Sequence, residues 1–554
     1  MRRGLAAALT GAAALGALAY TSPSAAAPSP RPPTLTVAIP GPFRGCDPGS
    51  SSTTAATDEV LSLVLPSAFT PGALSSPVGD TPVVSQAEVV SLNPQTVVYT
   101  IAPGAKWPDG TAFSSQDLVD TWQERHADTV AADLGYRDVA SLTPDATGTT
   151  LTVVFKTPYS DWESLFDLIV PGATTAAACA EPSAALDPSM GPYEITSATS
   201  TRVMLDANPS WAGTAPFYTH VVVTTDPSMP VPAGGPPRLA YLPSPTLAQL
   251  QAITSTGAFD SRIQHDTTIV SLDFAVRGPR ALPLGVREAL ARFVDRSAIV
   301  DAVAAPVDDT AAPATSHLFG QGDADYVGAP GSSVGDAAAP TAPLPGASGA
   351  AAYGGLPDVA TADAFLHAAG DAKSPHGWRG PGGRPLSVCL AVPTDLTSLL
   401  PTAEMIRHQL LAQGVGVQWH GVVGGVASVA GVLRTGACAV GLMARTGDGY
   451  ATHEAASWLE PPSPLPRDLT WTGVNDPIAS AAALTATGML NPLTAVTTWT
   501  AMDARLWNLM VSLPLYSPSV YEGWSPQVAG LLPCSTVGCT IDQIPSLVAT
   551  SSRP

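Results

Sequence analysis

From about Leu386 to Met443 the sequence changes character in a fixed order: a branched apolar run from Leu386 to Val392, an amphipathic stretch from Thr402 to Ala412, a second run from Gly416 to Trp419 and a third around Ala437 to Met443. The spacing predicts strand, helix, strand. A helix between two strands makes the connection a crossover, and crossovers join parallel strands whose faces are covered by helices. The chain is therefore expected to be α/β.

Further strands are expected at Thr34 to Ile39, Thr96 to Ile101, Thr150 to Lys156, His220 to Thr224 and from Thr268 to Val276, where polar and branched residues alternate or apolar ones cluster. Ser114 followed by Asp117 has the form of a capping box ahead of the helical spacing Leu118, Thr121, Trp122, Arg125. A single helix is expected from about Leu284 to Ala304, and another from Thr361 to Ala369. Residues 305 to 358 turn rich in Ala, Pro, Gly and Asp, which predicts a long low-complexity surface excursion.

Composition decides what such a chain is able to bind. With 554 residues, 45 % of them apolar, and 56 Pro and 49 Gly scattered between, it is globular with interruptions and long enough for two or more lobes. The net charge is -20, and Lys106, Lys156 and Lys373 are the only lysines. A nucleic-acid partner is excluded, because sequence-independent affinity for phosphates needs a positive face. Adhesion to an anionic membrane surface is disfavoured on the same ground. The longest apolar run beyond the N-terminus, Gly421 to Leu433, is about a dozen residues, too short to span a bilayer.

The N-terminus reads as an export signal over residues 1–27, with Arg2 and Arg3 ahead of the Ala/Leu run Leu5 to Ala19 and an Ala-x-Ala site at Ala25-Ala26-Ala27. A buried N-terminal helix is the competing reading. No lipobox is present, since the first cysteine is Cys46. The expected location is the periplasm, the cell envelope or the outside of the cell. Six cysteines in an oxidising compartment predict disulfides. Sequence order favours Cys46 with Cys179, Cys389 with Cys438, and Cys534 with Cys539, among fifteen pairings. A zinc site is the rival, but no C-x-x-C occurs, so no metal and no cofactor are expected.

Searches for chemistry return blanks. His453-Glu454 is followed by Ala-Ala-Ser, without the second histidine of a zinc-protease helix, and no nucleophile elbow, P-loop or dinucleotide glycine pattern is found. An enzyme is not expected.

An ordered string of phrases does stand out. Tyr99-x-Ile101 leads into Trp107-Pro108-Asp109-Gly110, Phe113 and Asp117; then come Pro158-Tyr159 to Pro171, Gly191-Pro192-Tyr193 and Asn208-Pro209-Ser210-Trp211. Val286-Arg287-Glu288-Ala289-Leu290 with Asp295-Arg296, Ala362 to Gly370, Leu386 to Val417, and Leu506-Trp507 with Leu513-Pro514-Leu515 complete the order. The string resembles the family 5 extracellular solute-binding proteins, the peptide and nickel receptors of ABC importers, over nearly all of the chain beyond residue 28. Two stretches, Leu63 to Phe69 and Arg505-Leu506-Trp507-Asn508, are in turn similar to the LpqW-like envelope proteins of actinobacteria.

The resemblance implies a two-lobed periplasmic-binding-protein fold of the large peptide-receptor class. A first lobe would span 28–266 with 511–554 returning to it, and a second 267–510. A monomer would hold a peptide-like or other small polar ligand in the interlobe cleft and deliver it to an ABC permease. The LpqW-like branch implies a different role, non-transport control of lipomannan and lipoarabinomannan synthesis through a membrane partner in the envelope. The peptide-receptor phrase G-W-T-G-D reads Ala444-Arg445-Thr446-Gly447-Asp448 here. The resemblance puts Asp448 where dipeptide receptors hold the ligand's α-ammonium, and Arg445 replaces the Trp. Arg445 either neutralises Asp448, binds an acidic ligand oxygen, or forms with it a solvent-facing pair. Tyr450, Trp458 and Trp471 are the aromatics expected to line the cleft. A second departure is Phe274-Ala275, where the family's phrase at the lobe junction ends in Asn.

Overall fold

The Trp-Pro-Asp-Gly phrase folds as its residues dictate. The Gly110 amide donates to the Trp107 carbonyl (2.9 Å), closing a turn with Gly110 at φ +87°, a region that costs a Cβ-bearing residue dearly. The chain then enters the helix Ser115–Arg125, whose capping box is formed: Ser114 accepts at the first turn and the Ser114 amide donates to Asp117 (2.7 Å). Trp107, buried at the corner, donates its indole N–H to the other oxygen of Asp117 (2.9 Å). One carboxylate thus ties turn to helix.

This computed structural model describes residues 33–45, 54–69, 81–126, 134–169, 189–225, 236–255, 259–323, 326, 353–447, 449–456, 458, 471–532 and 539–549. The expected export segment, Cys46, Cys179, Cys534, Asp448 and the side chain of Cys539 lie outside them.

Three sheets carry the fold. A seven-stranded sheet runs in the order Asp260–His265, Ser519–Trp524, Arg238–Pro243, Thr34–Ala38, His220–Thr224, Arg202–Ala207, Tyr193–Thr199. Beside it a four-stranded antiparallel sheet, Val84–Leu92, Gln95–Ile101, Thr150–Phe155 and Val139–Pro144, packs over its own core of Val97, Tyr99, Trp107, Leu118, Phe155 and Phe166. Both belong to the first lobe. The edge of the seven-stranded sheet is tied to the helix Ala55–Val64 where Asn208 donates to the carbonyls of Ser189 (3.0 Å) and Gly191 (2.9 Å), and the Gly191 amide donates to the Val64 carbonyl (2.9 Å). A Cβ at Gly191 would fall 2.6 Å from the Leu63 carbonyl oxygen, so only glycine fits this approach.

The second lobe holds a five-stranded sheet, Gly416–Val422, Ser387–Pro393, Val440–Arg445, Ile269–Phe274, Ser512–Tyr516. Ser387–Pro393 is parallel to both its neighbours, as the helix between the strands requires; Ile269–Phe274 and Ser512–Tyr516, which enter from and return to the other lobe, are not part of that pattern. Both of these strands are buried at every residue. Their one carboxylate, Asp273, is satisfied by Ser271 (2.7 Å), Ser512 (2.5 Å) and the Trp471 indole (2.7 Å), which is what makes its burial tolerable. Cys389 and Cys438 are joined as a disulfide with Cα atoms 4.9 Å apart.

Three sequence expectations read differently in the structure. The single helix expected from Leu284 to Ala304 is two, Leu284–Phe293 and Arg296–Val303, because Val294 is extended and Asp295 caps the second by accepting from the Ala298 amide (2.8 Å). Apolar spacing continues through the break, so periodicity alone hides it. Within the 305–358 stretch, residues 305–323 turn inward rather than run over the surface. His317 and Leu318 are buried, and the His317 amide donates to Asp503 (2.6 Å). Finally, Ser512–Tyr516 stays in the five-stranded sheet, so the return to the first lobe is made at 517–518 rather than near 511.

The two arginines of the second-lobe phrases act as carbonyl collectors. Arg287 donates to Leu282 (2.6 Å), Leu509 (2.7 Å) and Met510 (2.8 Å), the last two ending the helix Pro492–Leu509. A cation there also suits the helix C-terminus. Arg296 donates to Ala314 (2.7 Å), Pro514 (2.9 Å), Tyr353 (2.7 Å) and Gly354 (3.0 Å).

Candidate functional site

Two chain crossings join the lobes. Asp266–Thr268 links Asp260–His265 to Ile269–Phe274, and Ser517–Pro518 links Ser512–Tyr516 to Ser519–Trp524. The crossings lie side by side, with the Asp266 amide donating to the Pro518 carbonyl (2.9 Å). Residues 308–323 pack along them: the Gln321 amide donates to Ser517 (3.0 Å), Ser519 donates to Asp308 (2.8 Å), and the Gly322 amide donates to the Asp266 carbonyl (3.0 Å). Burial raises the Asp266 carboxyl to about 6 against the amide and hydroxyl donors of Thr268 and Thr267, which hold it down.

From this hinge the chain between strand and helix reaches back to the first lobe. The strand Val440–Arg445 delivers residues 446–456 at its C-terminal end, the place where α/β sheets bring ligands. Thr267 donates to the Gly447 carbonyl (2.7 Å) and Thr268 Oγ1 lies 2.8 Å from Thr446 Oγ1, so the segment starts against the hinge. It ends against the segment that follows the four-stranded sheet. There Thr452 donates its amide (3.0 Å) and hydroxyl (2.6 Å) to Asp161, Tyr159 Oη lies 3.0 Å from His453 Nε2, and Tyr450 donates to the Glu163 carbonyl (3.3 Å). Asp448 falls in sequence between these two anchor points.

The other residues singled out from sequence fall behind this surface. Arg445 is buried, its guanidinium donating to the His317 carbonyl (2.9 Å) and to Glu454 (3.4 Å) and stacking 4.2 Å over Trp458. Burial lowers its pKa, opposed by Asp273, Glu454 and Asp503. Trp458 is 0 % exposed and donates to the same His317 carbonyl (3.1 Å); Trp471 is 9 % exposed and bound to Asp273. The three form one packed unit of the second lobe. Tyr450, half-buried, is the one that reaches across.

Sequence reasoning passed over Tyr159, Asp161, Glu163, Thr452 and His453. Tyr159 lies inside a family phrase and His453 in an incomplete zinc motif, but nothing in sequence pairs residues some 290 positions apart.

One cluster of metal-ligating types is also present. His420 sits beside Cys389 and Cys438 with the three ligand atoms within 4.8 Å of one another. The sulfurs are bonded to each other, and a disulfide offers no thiolate, the form that ligates a metal. Among the described residues no helix is long and apolar enough to cross a membrane.

Comparison with known proteins bears on this geometry. The family model described as bacterial extracellular solute-binding proteins, family 5 Middle, matches residues 79–455. The oligopeptide-binding protein OppA of Mycobacterium tuberculosis is 27 % identical over 288 residues, 48 % of this chain and 48 % of that protein. LpqW of the same organism, named for binding monoacyl phosphatidylinositol tetramannoside, is 31 % identical over 159 residues, 27 % of this chain and 25 % of its own. The chain thus aligns with about half the length of OppA and less of LpqW. Among solved structures, the periplasmic EDTA-binding protein EppA superposes with a TM-score of 0.75 at 18 % identity, covering 94 % of this chain and 96 % of that one. The oligopeptide-binding protein AppA of Bacillus subtilis, in complex with a nonapeptide, gives 0.70 at 13 %, covering 94 % and 99 %. At such identities the likeness establishes the two-lobed fold.

Proposed function

This chain belongs to the bacterial extracellular solute-binding proteins, family 5, and from that premise we propose that it captures a peptide-like or other small polar solute between its lobes and passes it to an ABC-type permease, without chemistry of its own. The observation that carries this is the family match across both lobes joined to the hinge geometry: two adjacent crossings allow the lobes to close on a ligand as rigid bodies. Residues 446–453, running from the hinge to the first lobe, are the segment that a bound solute would touch, with Asp448 the group for a ligand ammonium and Tyr450 its aromatic neighbour. Arg445, engaged with Glu454 and His317, supports that segment from behind and does not serve as the ligand's partner.

The test is native mass spectrometry of the purified protein followed by denaturation to release what it carries. A peptide or small polar solute supports the reading. A mannosylated phosphoinositide would instead favour the LpqW-like role in glycolipid synthesis, to which the 159-residue match gives specific support. With a ligand in hand, calorimetry on Asp448→Asn measures the charge contact: a loss of about 2–5 kcal/mol is expected for a desolvated pair, and an unchanged affinity removes Asp448 from the site.

A further inference from the structure

We propose that the segment Tyr159–Glu163 is a clasp that holds the two lobes shut, and that the clasp loosens as the solution turns from acidic to neutral. This inference takes its biological meaning from the capture reading above, but it concerns the protein without any solute.

The contacts come from four of the segment's five residues. Asp161 accepts both the amide and the hydroxyl of Thr452 at the first turn of the helix Ala451–Ala456. Tyr159 Oη lies against His453 Nε2 and, at 3.3 Å, against Thr452 Oγ1. The Ser160 amide donates to the Thr487 carbonyl (2.7 Å), and Tyr450 donates to the Glu163 carbonyl. Tyr159 belongs to the core under the four-stranded sheet, whereas Ala451 and Ala455 belong to a separate core with Trp458 and Trp499. Every one of these bonds therefore crosses from one lobe to the other. None is a crossing of the chain, so all of them break if the lobes part.

Glu163 gives the clasp its sensitivity. Its carboxyl is beside Asp161 on its own segment and acts on Tyr99 from the strand Gln95–Ile101, while the carbonyl of the same residue takes the Tyr450 hydroxyl from the second lobe, which sets Glu163 at the lobe boundary; His453 and Glu454 come next on the helix, with Glu454 already paired to Arg445. Burial first, and the Asp161 charge second, raise it from 4.5 to about 7. The sign follows. A carboxyl whose pKa is higher in the closed form favours closure when protonated; that contribution is whole below about 4.5 and is lost as the pH rises to about 7.

Small-angle X-ray scattering of the solute-free protein at pH 5 and pH 8 reads the outcome directly. The parent is expected to show a larger radius of gyration at pH 8 than at pH 5. Glu163→Gln should stay compact at both, since it cannot ionise. Asp161→Ala should be expanded at both, with near-ultraviolet circular dichroism confirming that its cores remain packed. An identical radius for parent and Asp161→Ala at both pH values overturns the clasp. A pH response that survives Glu163→Gln overturns its assignment to that carboxyl. Because no solute is needed, these results stand whether or not native mass spectrometry finds a ligand.

Discussion

The hinge and the clasp both join the lobes, and they are built of opposite materials. The hinge is backbone running through: two adjacent crossings, a strand pair on either side, and loop 308–323 packed along them with its amides paired. The clasp is mostly side chains meeting across a gap, among them a carboxylate, an imidazole, two phenols and a hydroxyl. Buried backbone that is fully paired costs heavily to break, while a polar side-chain bond exchanged for water is worth only about 0.5–1.5 kcal/mol. A molecule so joined has one end fixed and one end that opens. Solute-binding proteins need that asymmetry, because the lobes must part without the chain unravelling.

The comparison is broken most forcefully from behind the hinge. Arg296→Ala strips the donors from four carbonyls, one of them Pro514 in the hinge strand, and its loss should cost about 3–5 kcal/mol of stability. Chemical denaturation measures it; a loss under about 1 kcal/mol would mean that the hinge is not held as described.

Asp266 gives the next effect, and it carries a sign. Its pKa is raised to about 6 in the fold, so its contribution is whole below its ordinary value of 3.8 and is lost as the pH climbs through 6. Asp266→Asn keeps an oxygen for the Thr268 amide and removes the charge. It should leave stability nearly unchanged at pH 4 and raise it at pH 8, by an amount on the order of 3 kcal/mol. Equal effects at the two pH values would contradict it. Gly320→Ala comes third. Its Cβ would run into the Thr267 carbonyl, backbone that cannot swing away, and overpacking of this kind costs about 1–3 kcal/mol.

The two ends also differ in how well sequence foretells them. Of the hinge, sequence marks one crossing of the two. The strand beginning near Thr268 marks the first crossing, and the corner at Trp107, the capping box at Ser114 and the crossover from Leu386 onward are set by residues within a few positions of one another. Where the reading slipped, one cause was a local cap and the other a nonlocal bond. Asp295 ends one helix by capping the next, which the apolar spacing conceals, and the Ala/Pro-rich stretch folds inward because Asp503 takes the amide of His317. The clasp was not legible at all. Tyr159 and His453 carry no pattern that names the other, and the aromatics chosen for the cleft, Trp458 and Trp471, are drawn inside by Arg445 and Asp273.

The smallest effect tests the clasp at its least costly bond. Tyr159→Phe removes one hydroxyl that lies between His453 and Thr452 and leaves the ring in the core under the four-stranded sheet. Its global cost should be about 0.5–1.5 kcal/mol at most, well below that of Arg296→Ala. Its local effect should be larger in proportion. Amide hydrogen exchange in residues 449–456 should quicken while exchange in the strand Ile269–Phe274 stays as it was, because local opening and global unfolding draw on different bonds. If both segments quicken together, the lobes are one cooperative unit, and the contrast between a fixed end and an opening end fails.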